Sequence, residues 1–95
     1  MRKYSPKLGD VVCYGGKRMV IVYIINDCIA YPVYHYYFIE EYLLKDITSI
    51  ELNELMGKCI TKMWCPNDSE EEPPFNKVDT EPYKIEQINY IKIEK

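Results

Sequence analysis

The chain has 95 residues, of which 47% are hydrophobic and 28% charged, and its formal net charge is −3. A chain this short accommodates one domain with a modest core, because it buries only about 60–65% of the surface its unfolded form exposes. The acidic balance excludes a nonspecific nucleic-acid binder acting through its whole surface, since a phosphate backbone is held mainly by basic charge.

The first residues, MRKYSPKLGD, lack the apolar core of an export signal. No apolar run approaches the ~20 residues of a membrane span, so a cytoplasmic protein is expected. Gly9 and Asp10 read as a turn that launches a strand from Asp10 to Tyr14. Gly15 and Gly16 tolerate the positive φ that a tight hairpin requires. MVIVYII, residues 19–25, is β-branched and aromatic and predicts a second strand. Its two-residue repeat places Met19, Ile21, Tyr23 and Ile25 on one face and Val20, Val22 and Ile24 on the other. Both faces are apolar, which predicts a central strand covered on both sides or a strand at an interface, such as that of a homo-oligomer. Asn26 and Asp27 form the next turn. CIAYPVYHYYFI continues as a third strand, with Pro32 marking an edge or a bulge.

Beyond residue 39 the signals mix. A strand from Leu44 to Leu52, followed by one helical turn capped by Asn53, is preferred to a longer helix ending at Gly57. CITKMWC is a short strand. Residues 66–82, PNDSEEEPPFNKVDTEP, hold four prolines and six acids and predict a long solvated loop. The closing YKIEQINYIKIEK has Ile91 and Ile93 alternating as in a strand, and Ile85 and Ile88 spaced as in a helix.

Three strands joined by short turns form a meander that must curl to bury itself. The run Gly9, Asp10, Val12, Gly15, Gly16, Met19, Ile21 resembles the first hairpin of small SH3-like barrels, which reads G-D-x-V, a loop, then G-G-x-x-M-x-V. The chain also resembles short phage and mobile-element proteins of low-GC bacteria, in which such a hairpin precedes an I-x-x-I-x-L segment, here Ile47, Ile50 and Leu52. The resemblance covers about half the chain and implies a fold more than an activity. The expected class is therefore mainly β, a β-rich α+β protein. Its SH3-like barrel core would span residues 1–65, with an acidic loop at 66–82 and a C-terminal segment at 83–95.

The chemistry-bearing residues point to binding. No glycine-rich phosphate loop, H-E-x-x-H or G-x-S-x-G occurs. No catalytic residue, cofactor or metal is expected, and the protein reads as a non-enzyme. The four cysteines, Cys13, Cys28, Cys59 and Cys65, lack metal-ligand spacing and read as reduced, buried small hydrophobes. Ten tyrosines stand against two phenylalanines and one tryptophan. That surplus suits either a half-wet binding surface or a thin core whose aromatics reach solvent. In the third strand Tyr34, Tyr36 and Phe38 share one face, and His35, Tyr37 and Ile39 the other. A protein partner is expected at Tyr34, His35, Tyr36 and Phe38, and at the acidic run Glu70, Glu71 and Glu72, whose charge suits an inhibitor occupying a basic groove. The competing reading covers both faces of that strand, one with the barrel and one with the C-terminal segment. The alternative function is nucleotide or nucleic-acid binding through Tyr14, Lys17 and Arg18. It rests on the charge asymmetry of the chain: residues 1–39 carry Arg2, Lys3, Lys7, Lys17 and Arg18 against only Asp10 and Asp27.

Overall fold

The first hairpin closes on two consecutive glycines with φ of 61° and 78°, at Gly15 and Gly16, the conformation a two-residue type I′ turn requires. The computed structural model describes residues 4–26, 34–66 and 71–94. The hairpin joins β1 (Val11–Tyr14) to β2 (Lys17–Asn26), and β2 pairs antiparallel with β3 (Tyr34–Glu40). The predicted meander is therefore present. Asp27 and residues 28–33, including Cys28 and Pro32, lie outside the described residues.

After β3 a 3-10 helix spans Glu41–Asp46, followed by β4 (Ser49–Glu51), α1 (Leu52–Lys58), β5 (Lys62–Trp64), β6 (Asn76–Lys77), β7 (Lys84–Gln87) and β8 (Tyr90–Glu94). The strands form a five-stranded sheet in the order β5-β3-β2-β1-β6 and a three-stranded sheet in the order β4-β8-β7. The chain is mainly β, with one short α-helix and antiparallel sheets, as its sequence predicts.

β2 sits at the centre of the larger sheet, and both of its faces are covered. One face carries an aliphatic core of Val11, Val20, Val22 and Ile39, closed by Leu44, Leu55 of α1 and Ile91 and Ile93 of β8. The other carries Val12, Met19, Ile21 and Phe38, closed by Phe75. Fully burying each such side chain stabilises the fold by about 1.5–3 kcal/mol.

Four expectations need correction. The uniform two-residue repeat of β2 breaks between Ile21 and Tyr23, where Val22 is the extra residue of a bulge. A bulge reverses the facing of everything beyond it, so Tyr23 packs with the aliphatic core and Ile24 with the aromatic one. The segment from Leu44 is not continuous strand: Leu44 lies in the 3-10 helix, and only Ser49–Glu51 pairs as a strand. α1 begins at Leu52 with Glu51 as its N-cap residue, not Asn53, and runs for 7 residues. The acidic segment is solvated only in part, because Phe75 is 3% exposed and Asn76–Lys77 pairs with β1. The C-terminal segment resolves in favour of strands, β7 and β8 forming a hairpin with Ile88 exposed at its turn.

Gly9 locks the two layers together. Its φ is 88°, it donates to the Ile21 carbonyl at 2.8 Å, and its own carbonyl accepts from the Tyr83 N–H at 2.8 Å. A β-carbon at this position would collide with the Tyr83 carbonyl oxygen. The neighbouring Asp10 is buried, yet its carboxylate accepts from the Tyr4 hydroxyl at 2.7 Å and the Lys7 N–H at 3.1 Å. Burial, followed by the bond to Asp10, pushes the Tyr4 phenol far above its ordinary value.

Candidate functional site

The aromatic face of the larger sheet is built by strand alternation. Tyr34, Tyr36 and Phe38 point to one side of β3, and the register Tyr36↔Trp64 brings the tryptophan of β5 beside them. Tyr36 and Trp64 stack with centroids 5.6 Å apart, and Tyr34 follows at 6.3 Å from Tyr36. Phe75 meets Trp64 edge-on at 5.5 Å and Phe38 at 5.1 Å, which ties the row to the core. The row therefore grades outward, from buried Phe38 through half-buried Tyr36 and Trp64 to Tyr34, 41% exposed. Burial, then the neighbouring Tyr34, pushes the Tyr36 phenol upward.

Among the described residues β5 is an outer strand of its sheet. An outer strand presents unpaired backbone donors and acceptors, a template for another extended chain. On its other face Met63 is 49% exposed and sits opposite Tyr37, whose ring is 5.8 Å from that of Tyr23.

The residues expected at a partner surface are thus separated. Tyr34 and Tyr36 belong to the row. Phe38 does not reach a partner, because it is completely buried. His35 lies on the opposite face of β3, with its Nε2 3.8 Å from the Cys65 thiol. Glu71 is half-buried and Glu72 exposed, immediately upstream of Phe75, while Glu70 lies outside the described residues.

The residues of the alternative reading are already engaged. Lys17 Nζ pairs with Glu40 at 2.9 Å. The Arg18 guanidinium forks onto Glu41 at 2.6 and 3.2 Å, and the Tyr83 hydroxyl donates to the same carboxylate at 3.1 Å. The bond from Arg18 holds the Glu41 carboxyl below its ordinary range, against the opposing effect of burial. Around these pairs an open cleft of about 530 Å³ is lined by Lys17, Arg18, Glu40, Glu41 and Tyr42. The expected basic patch is a zwitterionic rim. Tyr14 is half-buried against Phe38 and Phe75, with the Lys62 ammonium 4.0 Å above its ring.

The cysteines also depart from expectation. Cys13 is exposed and Cys59 and Cys65 are partly so, all as free thiols, and Cys28 lies outside the described residues. Cys13 shares the face of Val11 but lies opposite Arg18, next to the hairpin turn and past the end of the core, and is exposed there. Among the described residues no group of three or more His, Cys, Asp or Glu side chains is placed to hold a metal ion. No helix among them is long and apolar enough to cross a membrane.

Sequence reasoning missed Trp64, Lys62, Glu41 and Tyr83 as parts of these surfaces. The signal for Trp64 was its place in a short strand, and for Glu41 the acidic pair that follows β3 opposite the basic pair of the hairpin. No protein-family profile, curated protein or solved structure matches the chain.

Proposed function

We propose that this chain is a non-enzymatic module that binds a protein partner along the β5 edge, with Tyr34, Tyr36 and Trp64 as the aromatic anchors. The observation that carries the reading is the graded row: its inner end is fixed in the core by Phe75, and its outer end is left in solvent beside an open strand edge. Rigid aromatics that keep apolar area exposed at low entropic cost are the residues that dominate protein interfaces. An extended segment added to β5 would gain backbone hydrogen bonds and contact aromatics on one face and Met63 on the other. Glu71 and Glu72 would lie at the rim, favouring a partner with basic flanking residues. The partner would be a bacterial host protein, and the outcome its inhibition.

Nucleic-acid binding through Lys17 and Arg18 is the weaker reading. Each cation would have to leave a carboxylate already in place before reaching a phosphate.

The test is affinity capture from a low-GC bacterial lysate with the wild-type protein and with Tyr34→Ala and Met63→Asp. A protein retained by the wild type should be lost from both variants, at a cost of about 2 kcal/mol for an anchoring aromatic. Retention unchanged in both variants would remove the β5 edge as the binding site.

A further inference from the structure

We propose that Cys65 is a reactive thiol served by His35 as its proton acceptor, a modification site for hydroperoxides. The pairing is imposed by the sheet. Antiparallel register sets Tyr36 opposite Trp64, so the next positions outward, His35 and Cys65, meet on the other face. The thiol is 3.8 Å from His35 Nε2 and 3.5 Å from the Pro66 carbonyl oxygen. A carbonyl accepts the hydrogen bond but cannot keep the proton; an imidazole can. Both side chains are half-buried, which orders them. Cys65 keeps part of its surface in solvent, so small solutes reach it.

The reaction is stoichiometric. The sulfur attacks the distal oxygen of the peroxide, an S–O bond forms and the O–O bond breaks. Sulfur loses two electrons to the peroxide. With the ring proton on Nδ1, His35 Nε2 takes the thiol proton and passes it to the departing oxygen, which leaves as water or an alcohol and yields a sulfenic acid at Cys65.

The molecule carries its own control. Cys13 is more exposed than Cys65 and lies opposite Arg18 across the hairpin, but that guanidinium is engaged by Glu41 and no imidazole faces the sulfur. Access alone therefore favours Cys13, and proton transfer favours Cys65. The site lies on the opposite face from the Tyr34–Tyr36–Trp64 row, on the same side as Met63, and its chemistry requires no bound partner.

The experiment treats the folded, reduced protein with dilute hydrogen peroxide in the presence of a cyclic 1,3-diketone that traps sulfenic acids. Peptide mass mapping follows each cysteine separately. Cys65 should be trapped at least about tenfold faster than Cys13, a threshold below the roughly 10²–10⁴-fold of general-base effects because the more exposed Cys13 is favoured by access. His35→Gln, which keeps a hydrogen-bonding side chain that takes up no proton, should abolish that preference while leaving the Cys13 and Cys59 rates unchanged. Faster trapping at Cys13 in the wild type, or an unchanged Cys65 rate in a folded His35→Gln variant, overturns the assignment. Should His35→Gln unfold, the wild-type comparison of Cys65 with Cys13 still decides.

Discussion

The side-chain carboxamide of Gln87 hydrogen-bonds both backbone groups of Ile24: its Oε1 accepts from the Ile24 N–H at 2.8 Å and its Nε2 donates to the Ile24 carbonyl at 2.6 Å. The chain of Gly9 to Tyr14 bonds this edge of β2 only as far as Ile21, so β2 runs on past its neighbour. One amide side chain from β7 takes the place of a strand residue there and fastens the small sheet to the large one.

Replacing that amide should be costly beyond its size. Gln87→Ala leaves a donor and an acceptor of Ile24 without their partners, and the expected loss is about 1–3 kcal/mol. Urea denaturation measures it, and the Ile24 amide should exchange faster with deuterium. Unchanged stability together with unchanged exchange would mean that the bond contributes nothing.

The glycines of the first strands should differ sharply. Gly16→Ala has a φ of 78° to accommodate but meets nothing within 4 Å, so it should cost about 1–2 kcal/mol. Gly9→Ala adds a collision with the Tyr83 backbone, and a loss of at least about 3 kcal/mol is expected. Thermal melts of both variants check the ranking, which equal losses would refute.

Phe75 makes the acidic segment part of the fold. Phe75→Ala removes the ring that covers Phe38 and touches Tyr4, Tyr14 and Trp64. A loss of about 3–5 kcal/mol is expected, with a change in tryptophan fluorescence. A fully stable variant would return residues 71–77 to the status of a loop.

Acid should weaken the bond between Arg18 and Glu41. The Glu41 carboxyl titrates lower in the folded chain than in the unfolded one, so its stabilising contribution is complete above the ordinary glutamate value of about 4.3. It disappears as pH falls through the lower folded value. The stability gap between the wild type and Arg18→Ala should therefore be open at neutral pH and close in strong acid. Chemical denaturation across that range tests the sign, and a gap that widened on acidification would reverse it.

The engaged cations also predict a negative binding result. At about 0.15 M salt, where exposed charges are screened beyond about 8 Å, the protein should show no measurable affinity for oligonucleotides. Alanine at Lys17 and Arg18 should leave that unchanged. Tight, steeply salt-dependent binding by the wild type would favour the nucleic-acid alternative.

The first hairpin and the third strand were legible because their rules are local. Two glycines demand a tight turn, and alternation placed Tyr34, Tyr36 and Phe38 on one face. Features that depend on register were not legible. The bulge at Val22 follows no composition signal, since any apolar residue there keeps the run intact. Glu40 and Glu41 meet Lys17 and Arg18 only once β2 and β3 are aligned. His35 and Cys65 are 30 positions apart, joined by a strand pairing that neither segment announces. Phe75 stands alone among acids and prolines, without the periodicity that would mark it as core. The aromatic site was half visible: its tyrosines stood out by number, but Trp64 became part of it through pairing.

The extra residue in β2 divides the strand into two halves of opposite phase. Deleting Val22 would set Tyr23 directly after Ile21, and plain alternation would then keep Tyr23 on the Ile91 side and Ile24 on the Phe75 side, with only the Val22 side chain lost from the aliphatic core. A residue inserted between Tyr23 and Ile24 would do the damage instead: Ile24 would exchange faces, and its amide would turn away from Gln87. The strand should therefore tolerate the loss of its one extra residue far better than the gain of a second.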